Sequence, residues 1–441
     1  MSKATAPADV GGGNTSNNEE EDNNHGRGVF GVGGESPQCQ NQSQSQSQNQ
    51  SQNQNQSIRM VEFFSGIGGF RMGVERAIHV LNAANAMQED SSNGCSHTKE
   101  RKRYRLDACH AYEISLHAND TYRHNFHACS NQNDTARKGN KNFTVTTKLI
   151  EQLSTSTIAS HNANLWTMSP PCQPFTSTTN AKRLDARDSR TAGFRAMMRL
   201  LVDLSADQKP QWIVLENVKG FVGSEMLCEF YDCLERNGYG YREYLLSPMQ
   251  LGIPNHRRRY YLVAEKDSTR FGRERGEGDD SIHETLPCVE DGEKIRKRPL
   301  KEYIDQCLTN EELSQYLVSD KILAKPWAKS LPIVSANDSM SHCFTAAYGR
   351  VVHRATGALL LTDMSHPSVE QHPELIDRKD MTKLSGKLHK FTPRELLNIF
   401  GYRDGFDFPD NISLEHQYKL IGNSVNVEMI SKVVEVLLTT T

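Results

Sequence analysis

From about residue 58 to the C-terminus, short apolar runs alternate with stretches whose apolar residues recur at helical spacing. Arg59–Phe64 is a run of the first kind and stops at a Gly-rich turn, after which Phe70–Leu81 has the spacing of a helix. Leu106–Glu113 predicts a second strand, with a helix following through Phe126. Leu165–Ser169, Trp212–Glu216 and Arg259–Ala264 predict three more strands. Strands alternating with helices predict an α/β fold, a mostly parallel sheet with helices on both faces. Such sheets bind ligands at the carboxyl ends of their strands. The residues just past each apolar run are therefore the ones on which chemistry is expected.

Three polar stretches break the pattern. Residues 1–57 are Gly-rich, then rich in Ser, Gln and Asn, with almost nothing apolar to bury; they predict a disordered tail. Gln88 to Arg105 reads as a surface insertion, and Asp267 to Arg298, densely charged, as a linker or mobile loop. The whole chain has 441 residues, 36% hydrophobic and 24% charged, as in an ordinary soluble enzyme. No apolar run nears the roughly 20 residues of a membrane span, and the polar N-terminus does not read as a secretory signal. The ten cysteines include no Cys-x-x-Cys pair, which argues against a zinc ribbon or redox motif and predicts no metal. An intracellular, cytoplasmic protein, with the nucleus as a second compartment, is expected. Net charge is −3; the tail holds −4 of it, so the body is near neutral at +1. Charge alone names no partner.

Five motifs carry candidate chemistry. The first runs Phe63-Phe64-Ser65-Gly66-Ile67-Gly68-Gly69-Phe70, at a strand-to-helix turn where glycine lets the backbone approach a ligand and the helix N-terminus favours an anion. Glu113 ends the second strand, where a carboxylate commonly accepts from a ribose. The second is Ser169-Pro170-Pro171-Cys172-Gln173-Pro174-Phe175: three prolines fix the backbone around one thiol, a frame that a bland core cysteine does not need. The third is Glu216-Asn217-Val218 after a strand, and the fourth is Arg257-Arg258-Arg259, in which alternation sends Arg257 and Arg259 to one side. The fifth is Gly422-Asn423-Ser424-Val425, between two helix-like segments. Singly, each has a structural reading as a turn, a cap or a solvated basic loop.

Together, and in this order, the motifs resemble the cytosine-5 methyltransferase family over about residues 58–441. Ser341-His342-Cys343-Phe344-Thr345 is similar to a signature of the branch that methylates tRNA, as are Ile253-Pro254-Asn255, Phe391-Thr392-Pro393 and Phe400-Gly401-Tyr402. The chain departs from that branch at Ala346 and Ala347 and at Ala355-Thr356-Gly357. For Cys343 a buried structural thiol and a catalytic support role stay equally open. The resemblance implies a Rossmann-like methyltransferase sheet with a smaller target-recognition lobe. It implies a catalytic domain from 58–266, completed by 391–441, with the lobe and its charged linker at 267–390. It also implies S-adenosyl-L-methionine as cofactor, held by Phe64, Ser65, Gly66, Gly68, Gly69, Glu113, Ile150, Pro170, Asn423, Ser424 and Val425.

Cys172 is the implied nucleophile at cytosine C6, Glu216 the partner of N3, and Arg257 and Arg259 the stabilisers of thiolate and base. The implied substrate is an anticodon-loop cytosine of tRNA-Asp, with Lys182, Arg183, Arg187 and Arg190 gripping its backbone and Cys343 nearby. A DNA cytosine-5 methyltransferase and a non-catalytic nucleic-acid-binding protein of the same fold are the two alternatives. Oligomeric state is not legible in the sequence.

Overall fold

A computed structural model describes residues 55–91, 102–127, 142–175, 185–271, 282–287, 295–305, 308–350 and 356–439. The expected disordered tail, up to residue 54, and Lys182 and Arg183 lie outside the described residues.

The apolar runs form a seven-stranded sheet. Its strands are β1 (Asn55–Phe63), β2 (Arg103–Glu113), β3 (Phe143–Thr147), β4 (Leu165–Met168), β5 (Trp212–Val218), β6 (Tyr239–Leu246) and β7 (Arg259–Lys266), in the order β3-β2-β1-β4-β5-β7-β6. The first five strands are parallel; β7 runs antiparallel to β5 and to β6. The chain builds outward from β1 through β2 to β3, then returns to place β4 on the other side of β1. That reversal opens a crevice at the carboxyl ends of β1 and β4.

Helices α1 (Gly69–Ser91), α2 (Leu116–His127), α3 (Thr155–Ser160), α4 (Ala192–Asp203) and α5 (Glu225–Arg236) follow the strands. One face of the sheet carries a core with Phe194, Met197 and Phe230 from α4 and α5. The other carries Val74 and Ala77 of α1 against Met429, Val433 and Leu437 of the C-terminal helix.

The later turns of α1 and the strands β3 and β6 go beyond the sequence reading. Helix α1 continues ten residues past Leu81, into the stretch read as an insertion. Its polar turns are held by side chains: Asn82 Nδ2 donates to Tyr104 O at 2.8 Å, and Tyr104 N donates to Asn82 Oδ1 at 2.9 Å. Strand β6 had no counterpart in the sequence reading, because Arg242 and Glu243 interrupt its apolar pattern. Glu243 is nevertheless accommodated, accepting from the hydroxyls of Tyr231 and Tyr260.

After β7 come the short helices α6 (Asn310–Ser314) and α7 (Asp320–Leu323) and a three-stranded sheet. That sheet is formed by β8 (Ile333–Val334), β9 (Leu359–Leu361) and β10 (Leu388–Lys390), in the order β10-β9-β8. Helices α8 (Pro393–Ile399), α9 (Leu414–Asn423) and α10 (Val427–Leu438) close the chain, with α10 packed on α1 and β7. Among the described residues no helix is long and apolar enough to cross a membrane.

Candidate active site

The Gly-rich turn leaves β1 with positive φ at Phe64 (55°), Gly66 (53°) and Gly68 (87°), a tight path in which Ser65 N donates to Tyr112 O at 3.1 Å and Gly68 N to Ser65 O at 3.0 Å. Glu113, at the end of β2, accepts from one N–H of this turn, Gly66 N at 3.0 Å on Oε2, and from its own neighbour Ser115 N at 2.8 Å on Oε1. A carboxylate has further lone pairs, so Glu113 is oriented by the turn and still able to accept. On the far side the turn meets the C-terminal motif. A Cβ at Gly69 would stand 2.6 Å from Val425 Cγ2 and 3.2 Å from Ser424 Oγ. Only glycine allows that approach, which brings chain ends more than 350 residues apart into one wall. Asn426 caps α10 by accepting from Met429 N at 3.0 Å and donates to Ile399 O, fixing the segment from the other end.

The Pro-Cys turn leaves β4 beside the end of β5. Ser169 Oγ donates to Glu216 Oε2 at 2.7 Å, and Asn217 Nδ2 reaches Pro170 O at 3.5 Å. Arg259 Nε lies 3.4 Å from Glu216 Oε1, with both side chains largely buried. The Cys172 thiol is pushed up from its ordinary pKa by burial and by Glu216, against the opposing pull of Arg259 and Arg257.

The two arginines sit at different depths. Arg257 is 4% exposed, and its guanidinium is committed to backbone: Nη1 donates to Phe344 O at 3.0 Å, and Nη2 to Gly422 O at 3.2 Å and Ser424 O at 2.5 Å. It lies over the Phe400 ring at 5.0 Å. Arg257 thus ties the Cys343–Thr345 loop to the Gly422–Ser424 loop. The two loops touch: a Cβ on Gly422 would fall 2.2 Å from Thr345 C. Cys343 Sγ is 3.7 Å from Arg257 Nη1 and 3.7 Å from Arg259 Nη2. Burial raises its pKa, but the two cations outweigh burial and hold it below the ordinary thiol value.

These turns enclose a cavity of about 360 Å³. Of the residues singled out in the sequence, Phe64, Ser65, Gly66, Gly69, Glu113, Pro170, Cys172, Glu216, Arg257, Arg259, Asn423, Ser424 and Val425 line it. Five do not. Gly68 faces away, onto Tyr122 and Phe126 of α2. Ile150 is 4% exposed, in the core cluster against which Phe64 packs. Cys343 is behind the arginines, and Arg187 lies outside the wall. Arg190 is held by Asp188, with Nε 2.8 Å from Oδ1.

The wall also has members the sequence did not offer. Ile114 and Ser115 follow Glu113 directly, so adjacency to a motif was their only signal, while Ser169 stands in the proline motif, which by itself gives it no role. His117 and His416 come from α2 and α9, with ring centroids 4.2 Å apart; no sequence pattern joins them.

The chain matches the model of the family described as C-5 cytosine-specific DNA methylase over residues 58–439. It is 31% identical to a tRNA (cytosine(38)-C(5))-methyltransferase of Spodoptera frugiperda, over 86% of this chain and 99% of that one. It is 27% identical to a DNA (cytosine-5)-methyltransferase of Dictyostelium discoideum, over 86% of this chain and 94% of the other. A solved variant of Spodoptera frugiperda DNMT2 superposes with a TM-score of 0.63 and 28% identity, over 87% of this chain and all of that one. A matched region spanning nearly the whole body, with the thiol, the carboxylate and the paired arginines gathered in one cavity at the sheet's switch point, makes this chain a member of the C-5 cytosine-specific methylase family.

Proposed function

We propose that this protein methylates C5 of a cytosine in tRNA, with S-adenosyl-L-methionine as donor and an anticodon-loop cytosine of tRNA-Asp as target. The observation that carries the reading is the meeting of Cys172, Glu216 and Arg259 in one cavity whose other wall is the Gly-rich turn with Glu113. Family membership implies a methyl donor. The wall suits this one: a carboxylate with lone pairs left to accept, an exposed apolar side chain in Ile114, and a glycine turn that a ligand can approach closely. When bound, the donor would supply an electrophilic methyl group. Ser65, Gly66, Glu113 and Ser424 would hold it.

The chain's own residues would do the rest. C5 of cytosine is a poor nucleophile until a thiolate adds at C6. Burial and Glu216 keep Cys172 protonated in the free protein. A docked cytosine changes the second of these causes. The base offers N3 as an acceptor, so the proton that Cys172 gives up would pass by way of Glu216 to N3; with its negative charge dispersed in that transfer, Glu216 opposes the thiolate less, and Arg259 stabilises it. Sulfur then bonds to C6, the displaced electrons make C5 enamine-like, and N3 holds the proton. After methylation a base or water would take the C5 proton, the C6–S bond would break with its electrons returning to sulfur, and N3 would give up its proton, restoring the Cys172 thiol. Arg257, spent on three carbonyls, would position the loops rather than touch the base.

An unpaired loop base reaches such a pocket at lower cost than one stacked in a duplex. The name of the Spodoptera frugiperda relative favours RNA, and the Dictyostelium relative keeps DNA as the second reading. The residues of 267–390 would act as the recognition lobe. Full-length protein, incubated with labelled donor and either a tRNA-Asp transcript or duplex DNA, followed by bisulfite sequencing, separates the two. The expected result is one modified anticodon-loop cytosine in the tRNA, none in the DNA, and none with Cys172→Ala. Methylation of DNA alone would reverse the assignment.

A further inference from the structure

The smaller lobe has a face that the chemistry above does not use. Segments 318–334 and 376–390 share a core with Leu359, Leu361 and Val369, to which they contribute Val318, Leu323, Leu331, Ile376, Met381 and Leu388. Backbone contacts lock them together: Val318 N donates to Leu388 O at 2.8 Å, and Arg378 Nη1 donates to Lys329 O at 3.2 Å. With the apolar side chains turned inward, most of the charges face out, Arg378 and Lys390 being held instead by the carbonyls of Leu331 and Gly349, and they are one-sided. The two segments hold eight Lys and Arg against three Asp. Lys383 is paired with Asp377 at 2.8 Å. Lys321, Lys325, Lys329, Lys379 and Lys387 are exposed. Between Lys325 and Lys329, on the turn Pro326–Ser330, lies Trp327, which is 43% exposed. The chain's other two tryptophans, Trp166 and Trp212, are buried.

Lysines alone would be a solvated surface. A tryptophan held in water among them is a different matter, because its ring offers a flat apolar surface with cations on either side. That is the complement of an unstacked base flanked by phosphates. An acidic protein would satisfy the lysines and leave the ring unexplained. We propose that this face docks RNA, Trp327 stacking on an unpaired base while the flanking lysines contact phosphates. None of these residues lines the catalytic cavity, so the contact is to RNA beyond the target cytosine. The proposal rests on the reading of the protein as a tRNA methyltransferase and adds the surface by which that substrate is held.

The test uses the full chain and a tRNA-Asp transcript. As Trp327 is the exposed tryptophan of the three, fluorescence quenching during titration reports on this face directly. Quenching is expected in the wild type and largely absent in Trp327→Phe. Trp327→Ala should weaken the tRNA Kd about tenfold, the ordinary scale of one lost base stack. Lys325→Gln with Lys329→Gln should lower the slope of log Kd against log salt by about 1.5, since each phosphate contact contributes somewhat less than one. At saturating tRNA, kcat should stay at the wild-type value in every variant. Unquenched tryptophan together with wild-type Kd and salt slope in the variants would overturn the docking face while leaving the methylation result standing. Binding and methylation of DNA but not tRNA would overturn the functional reading itself, and this proposal with it.

Discussion

Cys172 stands between charges of opposite sign, and the balance sets when it can react. Its pKa is raised by burial first and Glu216 second, with Arg259 and Arg257 opposing. In the free protein, the rate of Cys172 alkylation by iodoacetamide should therefore rise with a midpoint above that of an ordinary thiol. Glu216→Gln should move that midpoint down by removing the second cause. An unmoved midpoint would mean that the carboxylate is not coupled to the thiol. Ser169 is a further point of control. Its hydroxyl holds Glu216 Oε2 at 2.7 Å, so Ser169→Ala should cut kcat by about tenfold, the loss expected for one hydrogen bond to a charged group, with KM little changed. A matching rise in KM with constant kcat would assign Ser169 to substrate binding instead. Ser169 stands in the proline motif, yet nothing in the sequence gives it a role, since a serine before two prolines is an ordinary turn residue. Cys172 was legible because three prolines in five positions are not ordinary.

At the scale of elements, the site is a set of turns held together by one cation. Arg257 and Arg259 alternate on one strand entrance, and that spacing sends them the same way without giving their depth. The structure sinks Arg257 under the Cys343–Thr345 and Gly422–Ser424 loops and leaves Arg259 beside Glu216. Arg257→Met should strand the carbonyls of Phe344, Gly422 and Ser424, lowering stability by about 3 kcal/mol or more and weakening donor binding through the displaced Ser424 loop. Arg259→Met should chiefly lower kcat. Thermal melts and calorimetric donor titrations on both variants distinguish the roles; equal melting temperatures would remove the clamp assigned to Arg257.

The same limit explains the other differences. Ile150 and Gly68 belong to turns that shape the cavity, yet face its supporting core, because a motif gives position along the chain and not direction. The later turns of α1 and all of β6 were hidden for a simpler reason. Their polar side chains are satisfied by partners distant in sequence, Asn82 by Tyr104 and Glu243 by Tyr231 and Tyr260.

At the scale of the whole molecule, the sheet buries ionisable groups whose effects on stability oppose one another. Glu62 on β1 is fully buried, and Tyr122 donates to its Oε2 at 3.1 Å. Burial raises its pKa from 4.5 to about 8, against smaller lowering by Tyr122 and Arg71, while Glu75 adds to the rise. His110 on β2 is shifted the other way, from 6.5 to about 4, by burial and then by His161, stacked 3.8 Å away, and Arg59. Between about pH 4 and 6.5 the unfolded chain binds a proton at His110 that the folded protein does not, so this group makes stability rise with pH. Between 4.5 and about 8 the folded protein keeps a proton at Glu62 that the unfolded chain has released, so this group makes stability fall with pH. The two oppose each other where they overlap. Above 6.5 the carboxyl remains, joined up to about pH 7 by Glu395, which burial raises to that value. The protein should therefore lose stability from pH 6.5 to 8, the carboxyl acting with a slope of about 1.4 kcal/mol per pH unit at most. Glu62→Gln has no proton to retain. Its melting temperature relative to wild type should climb steadily across that window and level off above pH 8. Tyr122 also underlies Gly68, so the same variant tests whether the seat of the Gly-rich turn survives the change. A difference in melting temperature that stays flat from pH 6.5 to 8 would mean that Glu62 is already ionised in the folded protein, with its charge compensated by Arg71.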